Sequence, residues 1–132
     1  LAIFDGGRLM LFSGLLTLDT RGELIIELLW KLNLPSDEEV FVHAFDCQGN
    51  LLGMADGPPL GRMFPFRQWV NGETVRHVRT IRLVDPSSMS CLKVEVGLFE
   101  PSTGNRVVAQ DFNSLQYLNN IVVLDLILDG YK

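Results

Sequence analysis

Apolar and polar residues alternate with a period of two along most of the chain. Every second residue from Leu24 to Trp30 is apolar, while Glu27 and Lys31 lie on the opposite face of the same segment. This period predicts a half-buried β-strand. The same alternation recurs over residues 40–45, 92–98 and 122–128, with both faces apolar in the first of these. No segment keeps an apolar period of 3.6 residues, so an all-β domain is predicted.

Weaker strands and turn sequences fill the intervals. Residues 8–18 favour one strand with a bend at Ser13 and Gly14, where glycine often marks a bulge. Shorter strands are predicted over 51–55, 74–84 and 106–110. Turns are expected at 19–22, 46–50 and 101–105, the second being a tight hairpin in which Gly49 and Asn50 supply positive φ angles.

Turns that recur about every ten residues are typical of a sandwich. We therefore predict a single antiparallel two-sheet β-sandwich over residues 1–132, immunoglobulin-like or jelly-roll-like, with seven to nine strands. The predicted core consists of apolar residues that share the inward face of their strands: Leu24, Ile26, Leu28, Trp30, Val94, Val96, Leu98, Leu124 and Leu126.

The longest irregular stretch covers residues 56–72 and combines three prolines with several aromatic residues. Asp56 begins a proline-stiffened turn, and Arg67 and Trp69 follow within the loop. A Trp beside an Arg can stack on a sugar and hydrogen-bond its hydroxyl groups, so Asp56, Arg67 and Trp69 are the candidate ligand-binding residues. The alternative, which we favour for Trp69, is that the aromatic residues fold inward and plug one end of the sandwich.

Composition and charge narrow the possible functions. Hydrophobic residues make up 47% of the 132 residues, which is too apolar for a disordered chain. The net charge of −5 argues against nucleic acid as a partner and against adhesion to an anionic membrane. The longest apolar runs fall short of the ~20 residues that span a bilayer. The chain as given is therefore expected to be soluble.

Two cysteines, Cys47 and Cys91, follow no metal-ligand spacing. We expect two free, buried thiols. A disulfide between two strands is the alternative, and it requires an oxidising compartment.

No catalytic, cofactor or metal site is predicted. No Ser or Cys lies in a G-x-S-x-G turn, and the two histidines belong to different strands. His43 lies on an apolar strand and is expected to be structural. His77 lies among Arg76 and Arg79 and is expected on a solvated sheet face.

Several short motifs occur in an order that resembles a known family. They are LLW at 28–30, VFVHAFD at 40–46, GNLL at 49–52, DGPPLG at 56–61, Trp69 with NGE at 71–73, VGLF at 96–99 and TGNR at 103–106. Over residues 7–128 this order resembles the extracytoplasmic β-sandwich domain appended to bacterial multi-spanning membrane proteins, chiefly glycosyltransferases of the dolichyl-phosphate-mannose mannosyltransferase type. Asn71, where the family usually has Pro, and the arginine-rich segment 74–84 depart from its pattern.

The resemblance implies a fragment of a longer membrane protein, with its catalytic groups in a membrane-spanning portion. Residues 1–132 are then a non-catalytic accessory domain outside the cytoplasm. Its expected partners are that membrane-spanning portion and a glycan or lipid-linked sugar. One alternative is a structural protein-interaction module with no small-molecule ligand, and another is a free-standing hydrolase.

Overall fold

Nine β-strands account for most of the residues described by this computed structural model, which are 1–33, 38–55, 74–83 and 91–127. The strands are β1 (Ala2–Phe4), β2 (Leu9–Leu18), β3 (Glu23–Leu32), β4 (Glu39–Asp46), β5 (Leu51–Met54), β6 (Thr74–Arg82), β7 (Cys91–Phe99), β8 (Ala109–Gln110) and β9 (Val122–Ile127). Two short 3-10 turns, Asp5–Gly7 and Leu118–Asn120, accompany them. Within these ranges, no helix has the length and apolarity needed to cross a membrane.

The strands form two antiparallel sheets, which confirms the predicted two-sheet sandwich. One sheet has five strands in the order β6-β3-β2-β1-β8, and the other has four in the order β5-β4-β7-β9. The chain passes between the sheets after β3, β5, β6, β7 and β8. Seven strands follow the order of the immunoglobulin-like alternative, with β2, β3 and β6 as strands A, B and E and with β4, β5, β7 and β9 as C, C′, F and G. Strands β1 and β8 extend the five-stranded sheet beyond that order.

The core lies where the inward faces of the two sheets meet. The residues predicted for β3 and β7 are buried, as expected from their period of two, and Leu124 and Leu126 of β9 pack partly buried against them. The ring of Phe4, on β1, lies 5.7 Å from that of Trp30, measured between centroids. The alternating pattern of the sequence therefore identifies the core correctly.

A bulge in β2 lets the two sheets approach each other closely. The pairing of β2 with β3 shifts between Leu11 and Ser13, one residue before the predicted bend. After the shift Gly14 faces inward, and a Cβ added there would lie 2.7 Å from Cδ1 of Leu124. The absence of a side chain at Gly14 thus leaves room for Leu124.

His77 was predicted to lie on a solvated face, and this prediction is wrong. On β6 the inward positions hold Val75, His77, Arg79 and Ile81, and His77 is 1% exposed. The arginines that suggested a polar face divide between the two sides of the strand. Arg76 and Arg82 point outward and pair with glutamates of β3, whereas Arg79 points inward.

Arg79 connects the two sheets at one side of the sandwich. Its Nε donates to Nε2 of His77 at 2.7 Å, and its Nη1 donates to the backbone carbonyl oxygens of Val40 and Ala55. These carbonyls belong to β4 and to the residue that follows β5. One inward arginine on the edge strand of the five-stranded sheet therefore binds the edge of the four-stranded sheet.

Candidate functional site

The outer face of the four-stranded sheet carries an aromatic row on β4. Phe41, His43 and Phe45 alternate with the buried residues of that strand and therefore share its outward side. Directly across on β7, these three residues oppose Gly97, Glu95 and Lys93, in that order. Beyond β7, the outward residues of β9 are Val123 and Asp125, which oppose Glu95 and Lys93. Aromatic, charged and apolar side chains thus lie side by side across three strands.

One end of this face is covered by the chain itself. The guanidinium carbon of Arg106 lies 5.0 Å from the centroid of the Phe41 ring, and Arg106 also donates to the backbone carbonyl of Asn119 at 3.1 Å. Gly97 provides the space beneath the ring, since a Cβ there would collide with it. Phe41 is consequently only 4% exposed, and this end of the face is closed.

The other end of the face is open and concave. Around Phe45 lies a cavity of about 510 Å³, within the range of small-ligand sites. Its lining comes from β4, the turn that follows β4, and the outward positions of β7 and β9: Phe45, Asp46, Cys47, Gln48, Gly49, Lys93, Glu95 and Val123. We refer to this site as the outer-face cavity.

One wall of the cavity is the turn that joins β4 to β5. The Asp46 carboxylate accepts hydrogen bonds at 2.9 Å from the backbone N–H groups of Gln48 and Asn50 and from the Asn50 side-chain amide. These bonds, that of the Asn50 side chain first, hold the pKa of Asp46 below its ordinary value. Gly49 has φ +87°, as predicted, whereas Asn50 is not among the residues with positive φ.

A disulfide between Cys47 and Cys91 fastens this wall to β7. The expectation of two free thiols is therefore wrong. The reason lies in the register: Asp46 opposes Leu92, so the next pair along the ladder is Cys47 and Cys91, with Cα atoms 5.8 Å apart. The sequence alone could not place these two residues in register. Both cysteines are half-buried at the sheet margin and do not belong to the core.

Besides Asp46, the cavity is lined by two charged side chains, Lys93 and Glu95, which point outward from β7. Within the described ranges, neither Lys93 nor Glu95 takes part in an ion pair or side-chain hydrogen bond. They are two residues apart on one strand, which separates their Cβ atoms by about 7 Å. The cavity therefore presents a cation and an anion that are both available to a ligand.

Both histidines are placed by contacts with neighbouring side chains. The imidazole of His77 lies inside the sandwich between Trp30 and Arg79. The ring of His43 packs against Phe41, with 5.2 Å between ring centroids. Among the described residues, no cluster of His, Cys, Asp or Glu side chains is arranged to hold a metal ion.

The ligand-binding residues predicted from the sequence, Asp56, Arg67 and Trp69, lie outside the described residues. The outer-face cavity was missed by sequence reasoning. Its signal was present, since residues 40–45 are apolar on both faces, and the second apolar face of a strand needs a covering partner or a ligand. The sequence does not distinguish Lys93 and Glu95 from other polar residues on the outward face of a strand, so their place in a cavity could not be predicted.

Comparisons with known proteins do not identify the chain. No family model matches it, no curated protein matches it, and no solved structure matches it. Nothing in them links the chain to glycosyltransferases, so the resemblance described above stays a prediction.

Proposed function

We propose that this chain is a non-catalytic accessory domain outside the cytoplasm, attached to the membrane-spanning portion of a longer, glycosyltransferase-like protein. Its role is to bind a ligand on the outer face of the four-stranded sheet. The observation that carries the proposal is the outer-face cavity, where the half-buried ring of Phe45 lies across from Lys93, a cation with no ion pair to any of the described residues. An aromatic surface with a few polar groups around it is typical of small-ligand sites.

The disulfide supports the proposed location. Disulfides form and persist in oxidising compartments and are rare in the cytosol, where thiols are kept reduced. The Cys47–Cys91 bond joins the two residues that continue the ladder beyond its last pair, Asp46 and Leu92, and their Cα atoms are 5.8 Å apart. A disulfide of this kind therefore stabilises a domain outside the cytosol, where thiols are not kept reduced.

Protease accessibility in cells that express the native gene tests this proposal. With an antibody against this domain as the readout, protease added to intact spheroplasts should remove the domain, while a cytosolic marker survives. A domain that is degraded only after the spheroplasts are lysed would contradict the proposed location. Membrane fractionation of the same cells tests the attachment, because a domain recovered free of the membrane would contradict it.

A second candidate function is a protein-interaction module without a small-molecule ligand. It is favoured by an apolar patch made of Phe12 and Phe112, which are 41% and 50% exposed. The rings of Phe12 and Phe112 are stacked, with 6.3 Å between their centroids. Exposed apolar groups that lie together often mark protein contacts. Crosslinking from position 112 to another polypeptide would support this candidate.

A further inference from the structure

The outer-face cavity contains chemistry that restricts the class of ligand. Lys93 supplies only hydrogen-bond donors, and ionised Glu95 supplies only acceptors. A ligand that carries a single negative charge would pair with Lys93 and be repelled by Glu95. A ligand that carries a single positive charge would pair with Glu95 and be repelled by Lys93. The two side chains are together satisfied by a molecule that accepts at one point and donates at another, about 7 Å apart.

Each member of this charge pair has one polar and one apolar neighbour across the sheet, the polar ones being Asp125 for Lys93 and His43 for Glu95. Phe45 lies across from Lys93 on β4, and Val123 lies across from Glu95 on β9. The side chain of Phe45 is half-buried and lines the cavity. A ligand with an apolar C–H surface can lie against this ring while its polar groups reach β7.

The turn wall adds one more polar group that can both donate and accept. The carboxylate of Asp46 is occupied by the N–H groups of its own turn, so it is not available to a ligand. Gln48 lines the same cavity, and its side-chain amide can offer both kinds of hydrogen bond. The disulfide at Cys47 holds this wall against β7, which reduces the conformational freedom lost on binding.

We propose that the outer-face cavity binds a neutral sugar, with a pyranose ring against Phe45 and its hydroxyl groups bonded to Lys93, Glu95 and Gln48. A hydroxyl group both donates and accepts, so the hydroxyl groups of a neutral sugar can accept from Lys93 and donate to Glu95 at the same time. Its C–H face supplies the apolar surface that the ring of Phe45 requires. The inference rests on the proposed function and specifies the ligand of that site.

Amide chemical shifts of the ¹⁵N-labelled domain test this proposal. The probes are the methyl pyranosides of glucose, galactose and mannose and their short oligosaccharides, titrated to millimolar concentration. Phosphocholine and glucuronate are titrated in parallel as a zwitterion and an anion. We expect at least one neutral sugar to shift amides of residues 45–49, 93–95 and 123, with little dependence on salt.

Variants make the test specific. Glu95→Gln and Lys93→Met should each weaken sugar binding about tenfold or more, as expected for the loss of a hydrogen bond to a charged group. Lys31→Met is the matched control, because Lys31 points outward from β3 on the other sheet, and its affinity should equal that of the wild type. The same spectra report whether each variant is folded, so a misfolded protein is not mistaken for one that fails to bind.

Three outcomes would overturn the sugar inference: no shift with any neutral sugar, shifts located away from the cavity, or tighter binding of phosphocholine than of every sugar. None of these outcomes bears on the accessory-domain proposal, which protease accessibility and membrane fractionation test without a ligand. The two proposals can therefore fail separately.

Discussion

The indole Nε1 of Trp30 lies 3.2 Å from Nδ1 of His77 in the interior of the sandwich, with Arg79 on the other ring nitrogen. Both neighbours are hydrogen-bond donors. A neutral imidazole has one N–H group and one lone pair, so it can accept from only one of them at a time. A protonated imidazole would direct N–H groups at both donors. The interior therefore favours the neutral form of His77.

This arrangement predicts a dependence of stability on pH. Burial, and then the charge of Arg79, lowers the pKa of His77 from 6.5 to about 3. Because the unfolded chain binds the proton more readily, the contribution of His77 is complete above pH 6.5 and decreases as the pH falls from 6.5 toward 3. The free energy of unfolding should fall by roughly 1.4 kcal/mol per pH unit in this window.

Urea unfolding between about pH 6 and pH 4.5 checks this slope, since most carboxylates stay ionised there. His77→Gln is the control, because it keeps an acceptor near Trp30 but cannot take up a proton in this range. The free energy of unfolding should depend on pH more steeply in the wild type than in His77→Gln. The difference should be about 1.4 kcal/mol per pH unit, which corresponds to one proton taken up on unfolding. Equal slopes would show that His77 titrates normally.

Arg79 should contribute more to stability than the other arginines of its strand. Arg79→Met removes the donor that serves the carbonyl oxygens of Val40 and Ala55 and should cost about 2–3 kcal/mol in the free energy of unfolding. Arg82→Met is the matched control. Arg82 points outward, its side chain is 67% exposed, and its contact with Glu23 is 3.4 Å, so the cost should stay within about 0.5 kcal/mol. Equal losses in the two variants would contradict the bridging role of Arg79.

The disulfide should stabilise the domain considerably. The two cysteines are 44 residues apart. Closing a loop of this size lowers the entropy of the unfolded chain, which raises its free energy by up to about 4 kcal/mol. Replacing both Cys47 and Cys91 with Ser should lower the free energy of unfolding by about 2–4 kcal/mol. Mass spectrometry after alkylation without reductant should find no labelled thiol in the wild-type protein. Two labelled thiols would contradict the bond.

Gly14 should resist substitution because of Leu124. Gly14→Ala places a methyl group against the side chain of Leu124 and should cost about 1–3 kcal/mol, as is usual for overpacking. In the Leu124→Ala background the same substitution should cost much less, since the contact that it disturbs is gone. A cost that is unchanged in the double variant would locate the strain elsewhere.

The fold could be predicted from the sequence because burial follows a period of two. In β3 and β7 the apolar residues alternate with polar or outward ones, so the inward face is unambiguous. His77 could not be placed in this way. A strand rich in arginine suggests a polar face, yet which side of β6 faces inward depends on its pairing with β3, where His77 opposes Leu28.

The candidate site could be predicted only in part. The turn at residues 46–50 was identified from Gly49, but its role as a cavity wall depends on the register of β4 with β7. That register also brings Cys47 beside Cys91 and Phe45 beside Lys93. The alternating pattern determines which face of a strand points inward, but it does not identify the partner strand when the two strands are distant in sequence.

The most direct test of the account is photo-crosslinking in cells that express the native gene, from a photoreactive residue at position 123 or at position 112. Val123 lines the outer-face cavity, whereas Phe112 belongs to the apolar patch on the other sheet. The account predicts a glycan-containing adduct from position 123, reduced by Glu95→Gln. A protein adduct from position 112, with no glycan adduct from position 123, would contradict the account and favour the protein-interaction module.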